Sequence, residues 1–171
     1  VPPLVLGAYD QALHAAIDIG IARAALEDGA AFVRERSRPW FEAEVERAAD
    51  EPHVLRRFGE LTTRLHALEA LLERGARLVD EAARDITADS TAAASLAVAE
   101  AKALAQEFAP EIAGGVFELA GTSATDEAHG LDRHWRNVRT HSLHDPARWK
   151  YVHIGNHLLN GTNPPRLGVL Y

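Results

Sequence analysis

The 171-residue chain has no cysteine and no methionine. Without cysteine there are no disulfides, thiolate metal sites or cysteine nucleophiles, a composition compatible with the reducing cytoplasm in which the protein is expected to reside. Without methionine, Val1 is no translation start, and nothing after it reads as a charged leader followed by an apolar core. The chain is therefore expected to be a piece of a longer protein. Aromatic residues are scarce, at 6%. β-Branched residues are sparse and no stretch alternates apolar with polar side chains for long, so strand signals are nearly missing. No apolar run approaches the roughly 20 residues needed to cross a bilayer, so no membrane partner is expected. The formal charge of −7 also lacks the broad positive face of a nucleic-acid binder.

Helical periodicity fills the space these absences leave, and the expected class is an all-α, up-and-down helical bundle in a single domain. From Val54 to Ile86 the apolar residues Val54, Phe58, Leu61, Leu65, Leu68, Leu72, Val79 and Ile86 follow heptad-like spacing, with Ala76 and Ala83 in the gaps and Leu55, Leu71 and Leu78 widening the stripe. Asp50 and Pro52 read as the opening of that helix. Residues 8–36 form an earlier helix with two apolar faces, one through Leu13, Ile17 and Ile21, the other through Ile19, Ala22, Leu26 and Val33. A third, alanine-rich helix runs from about residue 90 to residue 120. Pro110 is expected to kink or break it, Gly114 and Gly115 to weaken it and Gly121 to end it. Two shorter helices are expected over about 126–140 and 145–159.

One segment departs from this plain composition. "RHWRNVRTHSLHDPARWKY" holds Arg133, Arg136, Arg139, Arg148 and Lys150. With Asp132 and Asp145 counted, residues 132–150 carry +3 and leave −10 for the rest of the −7 total. A small anion suits such a local patch, and Arg133, Arg136 and Arg139 recur every third residue, either as a solvated stripe or as the lining of a phosphate site. His141 and His144 are three apart at a helix end and share one side of it. A metal site would require partners of the Glu-x-x-His kind, and the nearest approach is Asp126 with His129. The plainer reading is a cation at a helix C-terminus, followed by Asp145 as the cap of the next helix with Pro146 in its first position. Trp40, Phe41 and Trp149 read as core or interface, and His14, His66, His153 and His157 as surface or satisfied core groups.

Taken together, "GIARAALEDGAAFVRERSRPW" and "VFELAGTSATDEAHGLDRHWRNVRTHSLHDPARWKYVHIGNHLLNG" resemble the C-terminal helical domain of the acyl-CoA dehydrogenase superfamily over almost the whole chain. Gly20, Ile21, Ala22, Arg23 and Ala25 match the family's Gly-Ile-Ala-Arg-Gly-Ala start, and Glu35 with Arg36 match its Glu-Arg finish. The resemblance implies that Arg36 reaches a flavin phosphate of a neighbouring subunit. It also implies that the backbone around Gly121, beside Thr122 and Ser123, approaches that flavin, and that the family's Arg-Asp pair falls on Arg136 and Asn137. The dehydrogenases' tyrosine, catalytic glutamate and Gly-Thr fall on His144, Asp145, Pro146 and Ala147.

Those departures bring the segment from Asp132 to Tyr151 closer to the dehydrogenase-fold monooxygenases of the dibenzothiophene and sulfone type. That resemblance implies His141 and His144 as catalytic residues lining the flavin site. Arg36, Gly121, Ser123, Arg136 and Arg139 become the cofactor-binding set. The implied cofactor is reduced FMN delivered by a separate flavin reductase, or FAD, and the implied substrate is an organosulfur or similar small hydrophobic molecule. The family also implies dimers or tetramers, and helical and β domains preceding this one. Histidine suits such chemistry, because near neutral pH it donates a hydrogen bond when neutral and supplies a proton when charged. Two competing readings are a true FAD-dependent acyl-CoA dehydrogenase with Asp145 as its base, and a ligand-free helical oligomerisation module.

Overall fold

In a computed structural model that describes residues 3–165, the chain folds as five α-helices: α1 (Pro3–Glu35), α2 (Pro52–Arg84), α3 (Ala88–Ala120), α4 (Asp132–His141) and α5 (Ala147–Asn160). Short 3-10 turns occupy the α1–α2 and α3–α4 connections, and no strand occurs among the described residues. The first three helices each hold 33 residues and are therefore about 50 Å long. They run up, down and up, with α3 in the middle packing against α1, α2, α4 and α5.

The heptad seam of α2 is real as far as residue 82, with a correction in its register, but Ile86, counted in it, lies beyond the helix and is exposed. Leu61, Leu65, Leu68, Gly75, Val79 and Ala82 are its buried residues, while Ala76 and Ala83 are exposed. Strict alternation of fours and threes from Leu68 and Leu72 lands on residues 75 and 82, and a glycine in the seam lets the backbone of α2 come close to Val98 of α3. Leu55, expected to widen the stripe, is exposed. The opening also differs, since Pro52 is the first helical residue but Glu51 is the cap residue, and its carboxylate accepts the Trp40 amide at 2.6 Å. Asp50 instead pairs with Arg47.

Helix α1 begins earlier than its pattern suggested and buries one of its two apolar faces. Ile19, Ala22, Leu26 and Val33 are in the core, whereas Leu13 and Ile17 remain 48% and 47% exposed. Trp40, Phe41 and Trp149 are exposed too, so they are not core residues.

The largest correction concerns α3, which continues unbroken through Pro110 and the two glycines after it. Proline there costs about 3 kcal/mol by removing an amide donor and crowding the preceding turn. Helix α3 is enclosed by its neighbours, with Ala105, Ala109, Ile112 and Ala113 all buried in one cluster with α1 and α2 residues, so tertiary packing decides its conformation. Its ends follow sequence rules. Thr87 and Ser90 form a reciprocal capping box at the start, and Gly121 closes the end at φ 79°. Beyond it, residues 126–131 form no α-helix, and α4 begins only at Asp132. Asp126 is spent on a local turn, accepting the Ala128 amide at 2.9 Å.

Close approach of α1 and α3 depends on Gly29, where an added Cβ would come within 2.6 Å of a Val116 methyl. Gly20, on the same helix, is exposed and has nothing within 4 Å of such a Cβ. Gly29→Ala is therefore expected to destabilise the chain by about 1–3 kcal/mol through overpacking, and Gly20→Ala to stabilise it by about 0.5–1 kcal/mol through helix propensity. Urea unfolding of the two variants beside the parent checks the opposite signs.

Candidate active site

Helix α1 carries "HAAID", which places His14 and Asp18 one turn apart on the same face. Ala15 and Ala22 flank Asp18 at helical spacing, and all three are fully buried. On α3, Lys102 lies between Val98 and Ala105 at the same kind of spacing and is likewise 0% exposed. The two charges meet, with Lys102 Nζ donating to Asp18 Oδ2 at 3.0 Å. Burying such ions is costly unless each finds further partners. Those partners come from the far end of the chain.

Helix α4 docks on α1 through Val138, which is buried, and through Asp28, whose carboxylate holds Arg133 at 2.6 Å and His134 at 2.8 Å. Hydrogen bonding to His134, together with the charges of His134 and Arg133, overcomes partial burial and keeps the Asp28 carboxyl below its ordinary range. This docking delivers His141, the last residue of α4, to the buried pair, where its Nδ1 is 2.7 Å from the second oxygen of Asp18. The next turn is closed by the His144 amide donating to the His141 carbonyl at 3.0 Å. That turn brings His144 onto His14, and the two rings stack with centroids 3.9 Å apart. His14 in turn places its Nδ1 3.0 Å from Nε2 of His141. Three imidazoles thus meet over one buried ion pair.

Asp145 completes the platform, and not as a helix cap, since the cap residue of α5 is Pro146. Its carboxylate lies 3.0 Å from Lys150 Nζ and 3.9 Å from Lys102 Nζ, and Gln106 Nε2 donates both to its backbone carbonyl at 2.8 Å and to Oδ1 at 3.1 Å. Burial alone would raise the Asp145 pKa. The hydrogen bond and charge of Lys150, with Lys102 and His144, more than offset it, and the carboxyl is held below its usual range. Two aspartates and two lysines make a balanced set beneath the histidines. Burial, with help from His144, Lys102 and His141, pushes the His14 pKa down against the opposing pull of Asp10. Among the described residues no group of three or more His, Asp and Glu has the geometry to hold a metal ion.

The other sequence-derived site residues are dispersed. Arg36 is exposed and lines an open cleft with Phe32, His129 and Arg133, near the C-terminal end of α1. Gly121 and Ser123 are at the same end of the bundle, since the Ser37 hydroxyl donates to the Ala120 carbonyl at 3.1 Å. His14 and Arg36 are 22 residues apart along α1, or about 33 Å at the usual helical rise. Arg136 is exposed and pairs with Asp132 on its own helix at 2.7 Å. Arg139 lines a separate cleft with Asp145, Pro146 and Arg148. The arginine stripe therefore does not converge on one cavity.

Sequence reasoning singled out His141 and His144 but missed Asp18, Lys102 and the engagement of His14. The available signal was a single charge in each of two otherwise buried helical faces, together with the His14–Asp18 spacing.

Residues 12–149 match the family model for the acyl-CoA dehydrogenase C-terminal domain. The chain belongs to this family. Within it, the chain is 37% identical over 157 residues to a dibenzothiophene monooxygenase of Rhodococcus erythropolis, covering 90% of this chain and 38% of that protein. It is also 37% identical over 149 residues to the probable FMNH2-dependent monooxygenase SfnC of Pseudomonas putida, covering 85% of this chain and 38% of that one. The structure of TdsC from Paenibacillus sp. A11-2 with FMN and indole superimposes with a TM-score of 0.94 at 33% identity, over 99% of this chain and 43% of TdsC. The chain thus spans well under half the length of the relatives it matches.

Two outcomes follow for this acyl-CoA dehydrogenase-type domain. Lys102→Met leaves Asp18 buried without its cation and is expected to cost about 3–5 kcal/mol in urea unfolding, with Asp18→Asn on the same background recovering most of it. The lowered His14 pKa means that, below the ordinary histidine range, the unfolded chain binds more protons than the folded one. That contribution to stability is complete above about pH 6.5 and declines as the pH falls towards the lowered value. Melting temperatures between about pH 7.5 and 5.5 should fall, and less steeply in His14→Gln.

Proposed function

We propose that this chain is the C-terminal flavin-site and assembly domain of a two-component monooxygenase. The enzyme takes reduced FMN from a separate reductase and oxygenates an organosulfur or similar small hydrophobic substrate. The observation that carries the reading is the convergence of His14, His141 and His144 over the Asp18–Lys102 pair, in a domain whose relatives include a dibenzothiophene monooxygenase and a TdsC structure holding FMN.

The residues present suit a flavin. Arg36 has an exposed guanidinium that no described residue engages, as a phosphate anchor requires. Gly121 and Ser123 are exposed at the same end of the bundle, and Arg139 borders the cleft next to Asp145. Bound reduced flavin would supply the electrons and the reaction with oxygen. The imidazoles would donate hydrogen bonds and move protons beside it, on a base of ion pairs that keeps them oriented.

Arg36 and the imidazoles, about 33 Å apart along α1, are too distant for one FMN to touch both within a protomer. In this reading they serve flavins of different protomers, so the protein assembles as a dimer or tetramer. The exposed stripe of Leu6, Tyr9, Leu13 and Ile17 on α1 supports assembly, being apolar surface that a monomer would leave in water. The dehydrogenase alternative is disfavoured by Asp145, a carboxylate buried between two lysines and held ionised.

The complete gene product, given reduced FMN, oxygen and dibenzothiophene or an alkyl sulfone, should yield oxygenated product. Arg36→Gln should raise the FMN dissociation constant by about tenfold, the scale of one charge-assisted phosphate contact. Acyl-CoA-dependent reduction of an electron acceptor without oxygenation would overturn the reading.

A further inference from the structure

His141 has both ring nitrogens committed inside the protein, Nδ1 to Asp18 Oδ1 at 2.7 Å and Nε2 to His14 Nδ1 at 3.0 Å. It therefore has no nitrogen left for a ligand. His14, by contrast, uses only Nδ1, because its Nε2 is 3.6 Å from Asp10 Oδ2, beyond hydrogen-bond length. We propose that Asp18, His141 and His14 form one polarised relay in which His141 is a positioning residue and His14 presents the working nitrogen, Nε2, beside His144.

The tautomers follow from donor and acceptor capacity alone. Asp18, faced by the Lys102 ammonium, offers only acceptor oxygens, so the proton of the Asp18–His141 contact is on His141 Nδ1. A neutral His141 then has a bare Nε2, which obliges His14 to donate from its own Nδ1. His14 Nε2 is left as a lone pair. A proton accepted there is matched by passage of the Nδ1 proton to His141 Nε2, and the resulting imidazolium keeps its other N–H on Asp18. Donation runs the same two transfers in reverse, with no net change in bonds or electrons. The charged and titratable groups around the relay are Asp10 and Asp18 from α1, Lys102 from α3, His144 and Asp145 from the turn after α4, and Lys150 from α5.

The relay is a property of the chain, whereas its use in oxygenation rests on the function proposed above. Two-bond 1H–15N correlation spectra of the 15N-labelled chain at mildly alkaline pH should show both His141 and His14 as neutral Nδ1–H tautomers. An Nε2–H form at either would overturn the relay, and that result needs no variant. In Asp18→Asn, Lys102 keeps the side-chain carbonyl and the amide NH2 faces His141. Both histidines should then switch to Nε2–H, a reversal that a merely structural aspartate would not transmit to His14. An unchanged His14 would refute the coupling.

In the complete gene product, His14→Phe keeps a ring stacked on His144 but removes both nitrogens. Oxygenation at saturating FMN should fall by about a hundredfold or more, as loss of a general acid or base does. Undiminished turnover would overturn the role of His14. Failure of the parent protein to oxygenate would overturn only the function reading, leaving the tautomer result to stand.

Discussion

The ion pair between Lys102 and Asp18 is the constraint on which the rest of the structure depends. Alanine-rich helices approach closely but have little relief with which to fix their register. A slip of α3 by one turn would move Lys102 about 5.4 Å and strand two buried charges. Only one alignment of α1 and α3 avoids that cost. The same alignment turns the second oxygen of Asp18 toward α4, where His141 meets it, and leaves Lys102 close enough to Asp145 to help pin the turn into α5. Two buried charges therefore set the places of four helices.

How far all this was legible depends on the range of each interaction. Helices α1 to α3 could be read because period and caps are local properties, and the α2 seam strayed past Leu72, where Gly75 and Ala82 are buried in place of Ala76 and Ala83 and Ile86 falls outside the helix. Pro110 misled because its cost is local while the packing that overrides it comes from α1 and α2. Trp40 and Phe41 misled differently, since bulk in a sequence does not say whether a given fold covers it, and here their rings lie tilted against each other in the open. His141 and His144 stood out by resemblance and spacing. His14 is 127 residues from the nitrogen it bonds, and no pattern within either segment joins them. Asp18 and Lys102 were visible as charges on apolar faces, but their pairing across 84 residues was not.

The surface divides along the bundle in a way the arginine spacing did not suggest. Period-three placement carries each successive arginine about 60° further around α4, and each finds a different environment. Arg133 reaches Asp28 on α1, Arg136 returns to Asp132 and Arg139 faces the cleft beside Asp145. A basic run in sequence thus becomes a docking contact, a helix-surface pair and a cleft wall. Arg36, from the alternating Arg34, Arg36 and Arg38 at the C-terminal end of α1, is exposed on the cleft it lines with Phe32 and His129.

Position 145 shows how ionic surroundings can change what a side chain does. The dehydrogenase pattern puts its catalytic carboxylate here, and Asp145 retains a carboxylate. A working base must be exposed to the proton it takes and must not be overstabilised as an anion. Asp145 is buried, bonded to Lys150 and Gln106, and held on the ionised side by Lys150, Lys102 and His144. Pro146 bends the chain immediately afterwards in extended geometry, so the aspartate faces inward and the following helix starts without it. The carboxylate has become a brace, and the neighbouring position carries the imidazole that faces outward over His14. In the proposed function, proton handling falls to the histidines beside it, not to this acid.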